Sequence, residues 1–281
     1  MAETDAGHAL RAPSTLHAFN RYEIKYLIRT DEVPRVLREL EARLDRDAHS
    51  TDEGYGVWSV YYDTTSLRFY WEKIEGLRFR RKIRIRHYGD RTTIDDATPV
   101  YVEIKQRVNR VTQKRRITLP YEQARLLCDD RQLIEHAPSD KGFVHEVLGL
   151  VGGLDLRATA ITGYQRQAFV GRDADFGLRV TIDQRVRGRD RDFHLGSAAE
   201  NRFTVPPHLA VLEVKADERV PYWMTDLTAR LELKVIRVSK YCQSIETFGR
   251  APRSIFHVPD HHIVDDGPHG DLPTAATDRS S

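Results

Sequence analysis

Residues 78 to 86 read Arg-Phe-Arg-Arg-Lys-Ile-Arg-Ile-Arg. In an extended strand, residues i and i+2 share a face and each residue rises about 3.3 Å. Arg78, Arg80, Lys82, Arg84 and Arg86 then share one face, spanning about 26 Å, while Phe79, Ile83 and Ile85 take the other, with Arg81 as the exception. No carboxylate lies within the segment to neutralise them. Guanidinium forks and ammonium point charges in such a row are suited to phosphate groups.

The pattern repeats along the chain. Arg21, Glu23 and Lys25 share a face opposite Tyr22 and Ile24. Glu103, Lys105 and Arg107 oppose Val102, Ile104 and Val108, and Lys114 and Arg116 oppose Arg115 and Ile117. Tyr164 shares a face with Arg166; Arg179, Thr181 and Asp183 oppose Leu178, Val180 and Ile182; Glu213 and Lys215 oppose Leu212 and Val214. A solvated sheet face mixes signs, because like charges directly opposite one another destabilise a strand pair. Repeated cationic bias on several strands therefore predicts an inside-out arrangement, with apolar faces outward under helices and charged faces inward around a polyanion.

The elements that must position these residues follow from composition and periodicity. Eight segments read as strands: 21–28, 57–64, 77–88, 99–108, 114–120, 158–170, 177–186 and 208–216, rich in Val, Ile, Thr, Tyr and Phe with period-two alternation. Four helices are predicted, over Asp31 to Asp45, Tyr121 to Cys128, Lys141 to Val151 and Pro221 to Leu233. The fold class is therefore α+β and mainly β, an antiparallel closed β-barrel of about eight strands with a few helices outside. Residues 1–16 read as a flexible arm, 17–250 as a single domain and 251–281 as a disordered tail.

The 281 residues carry 44 basic and 42 acidic side chains, a net charge of +2, which argues against coating nucleic acid with the whole surface but leaves room for a local cationic site. Single-strand binders also need aromatic platforms, and the charged faces offer mainly Tyr101 and Tyr164, so nucleic acid is not an expected partner. Two distant cysteines, Cys128 and Cys242, give no disulfide framework and suggest a reducing compartment. The N-terminal residues lack a basic region followed by an apolar one, and no stretch reaches the roughly 18 to 20 apolar residues of a membrane helix. A soluble, cytoplasmic protein is expected, with room for a membrane-protein partner that receives a product. The tail histidines His257, His261, His262 and His269 read as solvated rather than metal-binding, and Trp58, Trp71 and Trp223 as packing residues. Asp63 is expected to hold a turn or pair with an inward cation.

The segments RYEIKY, VYYDT, KIRIRHY, VEIKQR followed by Lys114, YQRQAF, LRVTID, LEVK and VSKY occur in an order that resembles the VTC polyphosphate polymerase domain, a branch of the triphosphate tunnel metalloenzymes, over roughly residues 18 to 246. The resemblance implies a closed tunnel that binds ATP and polyphosphate. It implies Lys25, Arg84, Arg86, Lys105, Arg166 and Arg179 as catalytic phosphate ligands. Lys82, Lys114, Tyr164, Lys215, Ser239 and Lys240 join them as substrate-binding residues, Lys82 and Lys215 by sharing their faces and Ser239 and Lys240 on the resemblance alone. Glu213 is the implied ligand of Mn²⁺ or Mg²⁺, with Glu23 and Glu103 read equally as second metal ligands or as ion-pair partners of neighbouring lysines and arginines. Hydrolytic and cyclase-type relatives carry Glu-x-Glu-x-Lys on the first strand. Arg21 replaces the first of those glutamates here, which should weaken a two-metal hydrolytic site, favour retention of polyphosphate and tilt the resemblance toward the VTC branch. A tripolyphosphatase or nucleoside triphosphatase of the same fold, and a non-catalytic polyphosphate-binding module, are the alternatives; pyrophosphate and phosphate are the further expected small partners.

Overall fold

A computed structural model describes residues 22–49, 53–109, 111–217 and 219–259. The expected arm at 1–16, Arg21, and the tail histidines His261, His262 and His269 lie outside them.

All eight expected strands form: β1 (Tyr22–Arg29), β3 (Tyr55–Asp63), β4 (Phe79–Tyr88), β5 (Pro99–Val108), β6 (Val111–Pro120), β7 (Arg157–Gly171), β8 (Arg179–Arg189) and β10 (Leu209–Ala216). Three short strands join them: β2 (Leu44–Arg46), β9 (Arg202–Phe203) and β11 (Lys234–Ile236). Every pairing is antiparallel.

The helices are α1 (Val33–Glu41), α2 (Arg68–Ile74), α3 (Tyr121–Cys128), α4 (Lys141–Gly153), α5 (Tyr222–Arg230) and α6 (Lys240–Thr247). The helix expected to run to Asp45 stops at Glu41 because Leu44, though apolar at helical spacing, is buried from β2, paired with Gly171 on β7. Helix α2 lacks a helical signature, since Phe, Tyr and Trp are only moderate helix formers. Its first amides are satisfied from outside: Asp63 accepts from Phe69 N at 2.8 Å and Tyr70 N at 3.0 Å, and Thr64 Oγ1 from Arg68 N at 3.0 Å. Asp63 thus holds a turn, as expected.

The apolar faces point outward, as the alternation requires. Ile83, Ile85, Val102, Ile104, Ile117 and Leu119 are buried under Leu127 of α3 and Val144, Val147 and Val151 of α4. On the other side of the sheet's curl, Tyr26, Ile28, Val180, Ile182, Leu212 and Val214 are buried under α1 and α5. Each such side chain contributes about 1.5–3 kcal/mol on burial, which sets the register: a slip of one residue would exchange the apolar and charged faces.

The expected closure is corrected. The hydrogen-bonded order runs β11-β1-β10-β8-β7-β3-β4-β5-β6, and no ladder joins its two ends among the described residues. One edge, β6, exposes Lys114, Arg115 and Arg116, and basic residues are a usual guard against edge pairing. The other, β11, has only three residues. The sheet nevertheless curls until side chains from nearly opposite ends of that order meet: Lys105 on β5 lies 3.5 Å from Glu23 on β1.

Part of the inner face is apolar, which the charge alternation did not foresee. Val57, Tyr164, Val186, Val211, Val238 and Val258 close one end of the concavity. Val258 belongs to the expected disordered tail, but residues 251–259 pack. Val258 exchanges two hydrogen bonds with Gln243, and His257 Nδ1 lies 2.7 Å from Glu246 Oε2.

Candidate functional site

Three linked groups of side chains occupy the concave face. On β1 and β10, Lys25 pairs with Glu23 at 2.9 Å and Lys215 with Glu213. The register sets Lys25 opposite Glu213 and Glu23 opposite Lys215, so alternating charges form a square. Burial opposes ionisation of Glu213, yet Lys215, Lys25, Arg166 and Lys240 hold it well below the usual carboxylate range. Glu23, against the same opposition, is held down to about 2 by Lys25 and Lys105. Burial pushes Lys105 down to about 8; Glu23 resists this and the nearby Lys215 and Lys25 reinforce it.

The second group spans β3 to β6. Arg84 donates to Glu103 at 2.7 Å and to the Tyr61 hydroxyl at 2.8 Å, while Lys114 holds the other Glu103 oxygen. Arg86, only 5% exposed, has no carboxylate among its described partners and donates to Ser59 at 3.0 Å and the Tyr164 hydroxyl at 3.3 Å. Burial alone would raise the Tyr61 phenol, but Arg84, Arg86 and Lys82 pull it down to about 7. The Tyr61 ring stacks on Tyr241 at 5.0 Å, and Tyr241 donates to Asp63 at 2.5 Å.

The third group joins the sheet to α6. Arg166 forks onto Asp183 at 2.6 and 2.8 Å, and Lys240 reaches the same carboxylate at 2.5 Å while lying 4.6 Å from the Tyr164 ring centre. Lys25 donates to the Val238 carbonyl at 3.2 Å, and Lys82 to Ser239 Oγ at 2.8 Å. Ser239 also caps α6, accepting from Cys242 N. The turn Val238–Lys240 is thereby held from β1, β4 and β8 together.

All residues expected in the site therefore face one concavity, but not equally. Arg179 sits at the rim, 2.5 Å from Asp47, and Lys114 is half-exposed on the edge strand. Glu103 is taken up by Arg84 and Lys114; Glu213 lies near both Glu23 and Asp183, each of these three also paired with a cation. Among the described residues, no three His, Cys, Asp or Glu side chains cluster as a metal cage would require. Asp183 was placed on the charged face by parity with Arg179 but given no role in the site. Tyr61 and Asp47 were not singled out: an uncharged Tyr on β3 carries no charge-alternation signal, and Asp47 reaches the rim only through the turn after β2.

Basic side chains outnumber carboxylates on this face. Burying unpaired cations costs several kcal/mol each unless anions compensate, so the arrangement is one that a multivalent anion would stabilise.

A family model, the VTC domain, matches residues 20–248. The vacuolar transporter chaperone complex subunit 4 of Trypanosoma brucei brucei is 26% identical over 280 residues, and that of Trypanosoma cruzi 25%. In both cases the alignment covers 83% of this chain and 35% of the relative, so the chain spans about a third of the curated relatives it matches. Among solved structures, a candidate adenylate cyclase from Bacillus halodurans aligns with a TM-score of 0.46 and 11% identity, covering 82% of this chain and 99% of that one. A Pyrococcus horikoshii protein aligns with a TM-score of 0.38 and 12% identity, covering 81% and 99%. With the family model matching most of its length, the chain belongs to the VTC domain family.

Proposed function

We propose that this chain is a polyphosphate polymerase domain: it binds the triphosphate of ATP and the end of a polyphosphate chain on the concave face, and transfers the γ-phosphoryl group between them. The observation that carries this reading is the convergence of Lys25, Lys82, Arg84, Arg86, Lys105, Arg166, Lys215 and Lys240 from separate strands and α6 onto one face, where they outnumber the carboxylates Glu23, Glu103, Asp183 and Glu213 and leave Lys82 and Arg86 without a carboxylate partner among the described residues. VTC family membership and the names of the trypanosome relatives support it.

Phosphoryl transfer demands positioning and charge neutralisation more than covalent chemistry. The bond between the γ-phosphorus and the bridging oxygen breaks, a terminal oxygen of the chain bonds to that phosphorus, and ADP leaves. The attacking oxygen is already anionic, so no strong general base is needed. Arg84, Arg86 and Arg166 present planar forks to phosphate oxygens, while Lys25, Lys105 and Lys240 supply point charges around them. Tyr164 and Ser239 add hydroxyls. Arg179 and Lys114 lie where the face opens, suited to the chain beyond the reacting group, while Lys215 sits beside Glu213.

Glu213 and Glu23 are ionised hard-oxygen donors and fit Mn²⁺ or Mg²⁺, which take one or two carboxylates and complete their shell with water and phosphate oxygens. Such an ion would neutralise charge developing across the β- and γ-phosphates. Lys215 and Lys25, now paired with these carboxylates, would then be released toward the substrate. The curated relatives are named as subunits of a complex, and a membrane-protein partner that receives the product belongs to this proposal.

Incubation of the purified chain with ATP and Mn²⁺ or Mg²⁺, followed by gel analysis, tests it. A ladder of phosphate polymers is expected. Release of orthophosphate alone would assign a hydrolase of the same architecture, and binding without turnover a polyphosphate-binding module.

A further inference from the structure

Strand β8 contains a device that the concave site does not use. Its inner residues are Arg179, Thr181 and Asp183, and strict alternation would send Arg187 to the same side. Asp183 pairs with Arg166 and Gln184 with Gln165, but Arg187 pairs with Gly163, so Arg185 and Val186 together oppose Tyr164. This is a β-bulge, one extra residue that reverses the faces beyond it. Val186 then fills the inner apolar cluster beside Tyr164, and Arg187 emerges on the outer face. The extra residue is Arg185, held at φ 53°, a left-handed conformation that residues with a Cβ adopt at a cost of about 1–2 kcal/mol.

Arg187 arrives over Trp58. The indole lies across Gly163, where a Cβ would sit 2.2 Å from the ring, so only glycine admits it there. The Arg187 guanidinium is 5.1 Å from the indole centre, and that of Arg91, from the loop after β4, is 5.3 Å from the same ring. Cation–π contact explains one such arginine; two on one ring, with exposed Arg185 beside them, repel one another. Among the described residues neither Arg185 nor Arg187 has a carboxylate partner, and Arg187 Nε is buried with no hydrogen-bond acceptor. The neighbouring acids make no ion pair with Arg187: Asp90 accepts from Thr92 N at 2.9 Å and attracts Arg91, which also donates to the Ser197 carbonyl, and Asp192 accepts from Ser197 Oγ. Burial and the adjacent Arg185 and Arg91 push the Arg187 guanidinium below its ordinary range, with no anion nearby to offset them.

We propose that Arg187, Arg91 and Arg185 form a second anion site, on the outer face of the sheet, for a ligand carrying a phosphate dianion. Paired guanidinium forks match phosphate oxygens in charge and shape, and the buried Nε supplies a donor in need of an acceptor. The site is separated from the concave face by the sheet itself, so it stands independently of the polymerase reading. The phosphate could be free in solution or carried on a lipid headgroup.

Trp58 provides a local reporter. In a Trp71→Phe/Trp223→Phe variant it is the remaining one of three tryptophans, and its emission is followed while inorganic tripolyphosphate is titrated in. A parallel arm uses phosphatidylcholine vesicles doped with phosphatidic acid. A saturable change with either probe is expected, weakened at least about fivefold by Arg187→Gln or Arg185→Gln and unaffected by Arg84→Ala on the concave face. Response to tripolyphosphate identifies a soluble phosphate; response to vesicles alone identifies a lipid-borne one. Silence of Trp58 toward both probes, or a change that survives both substitutions, overturns the site. Arg185 is exposed, so its substitution reads the site even where Arg187→Gln impairs folding.

Discussion

Arg84 and Arg86 differ in what holds them. Arg84 has Glu103 and Tyr61, whereas Arg86 has only neutral hydroxyls. A bound phosphate would therefore give Arg86 its first hydrogen-bonded anionic partner. Arg86→Ala and Arg84→Ala should each raise the ATP concentration needed for half-maximal turnover by at least about tenfold, near 1.4 kcal/mol, while Arg38→Ala on the exposed side of α1 leaves it unchanged; steady-state kinetics decides. Glu213→Gln should abolish metal-dependent turnover while ATP binding measured by calorimetry partly survives, and equal activity of the two proteins would remove Glu213 from the metal assignment. Tyr61 offers a spectroscopic check on the field itself. Its phenol is an acid whose folded pKa, about 7, lies below its ordinary value of 10. Phenolate absorbance near 295 nm should thus appear around pH 7 and vanish in Tyr61→Phe. The sign for stability follows: the ionised form is favoured in the fold, so the contribution grows as pH rises from 7 toward 10 and is absent below 7.

At the scale of elements, α2 and α6 show how a helix without strong propensity is fixed by one carboxylate. Asp63 ends β3, accepts the first amides of α2 and receives the Tyr241 hydroxyl from α6. The same α6 begins with Ser239 and Lys240, which meet Lys82 and Asp183 on the concave face. Asp63→Ala should cost about 2–4 kcal/mol in urea unfolding, the sum of a lost cap and a stranded buried hydroxyl. Turnover should fall as well, because the turn bearing Lys240 loses its anchor. An unfolding midpoint equal to that of the wild type would show that α2 and α6 are held by apolar packing alone.

For the whole molecule, the excess of positive charge on a partly buried face makes stability depend on the ligand. Anything that binds the folded state alone stabilises it, by about 2.7 kcal/mol at a hundredfold excess over Kd. Tripolyphosphate should accordingly raise the thermal midpoint by about 5–10 °C for a domain of this size, and high concentrations of sodium chloride should diminish the effect by screening. A midpoint indifferent to tripolyphosphate would show that the intramolecular ion pairs already satisfy this face. No helix among the described residues is long and apolar enough to cross a membrane.

Alternation along single strands determined most of what positions the site. The strands that carry Lys25, Arg84, Lys105, Arg166 and Glu213 alternate apolar and charged residues, so the side of each followed from parity without knowledge of their neighbours; β3, buried on both faces, gave no such signal. VSKY, at the start of α6, entered by resemblance, because a capping serine and one lysine carry no periodic signal. Tertiary structure decided the rest. Closure depends on edges finding each other, and the basic edge of β6 and the three residues of β11 do not pair. The apolar end of the concavity depends on Val238 and Val258, distant in sequence from the strands they cover. The outward turn of Arg187 depends on a bulge, one residue inserted against a partner strand, which no count along β8 alone reveals.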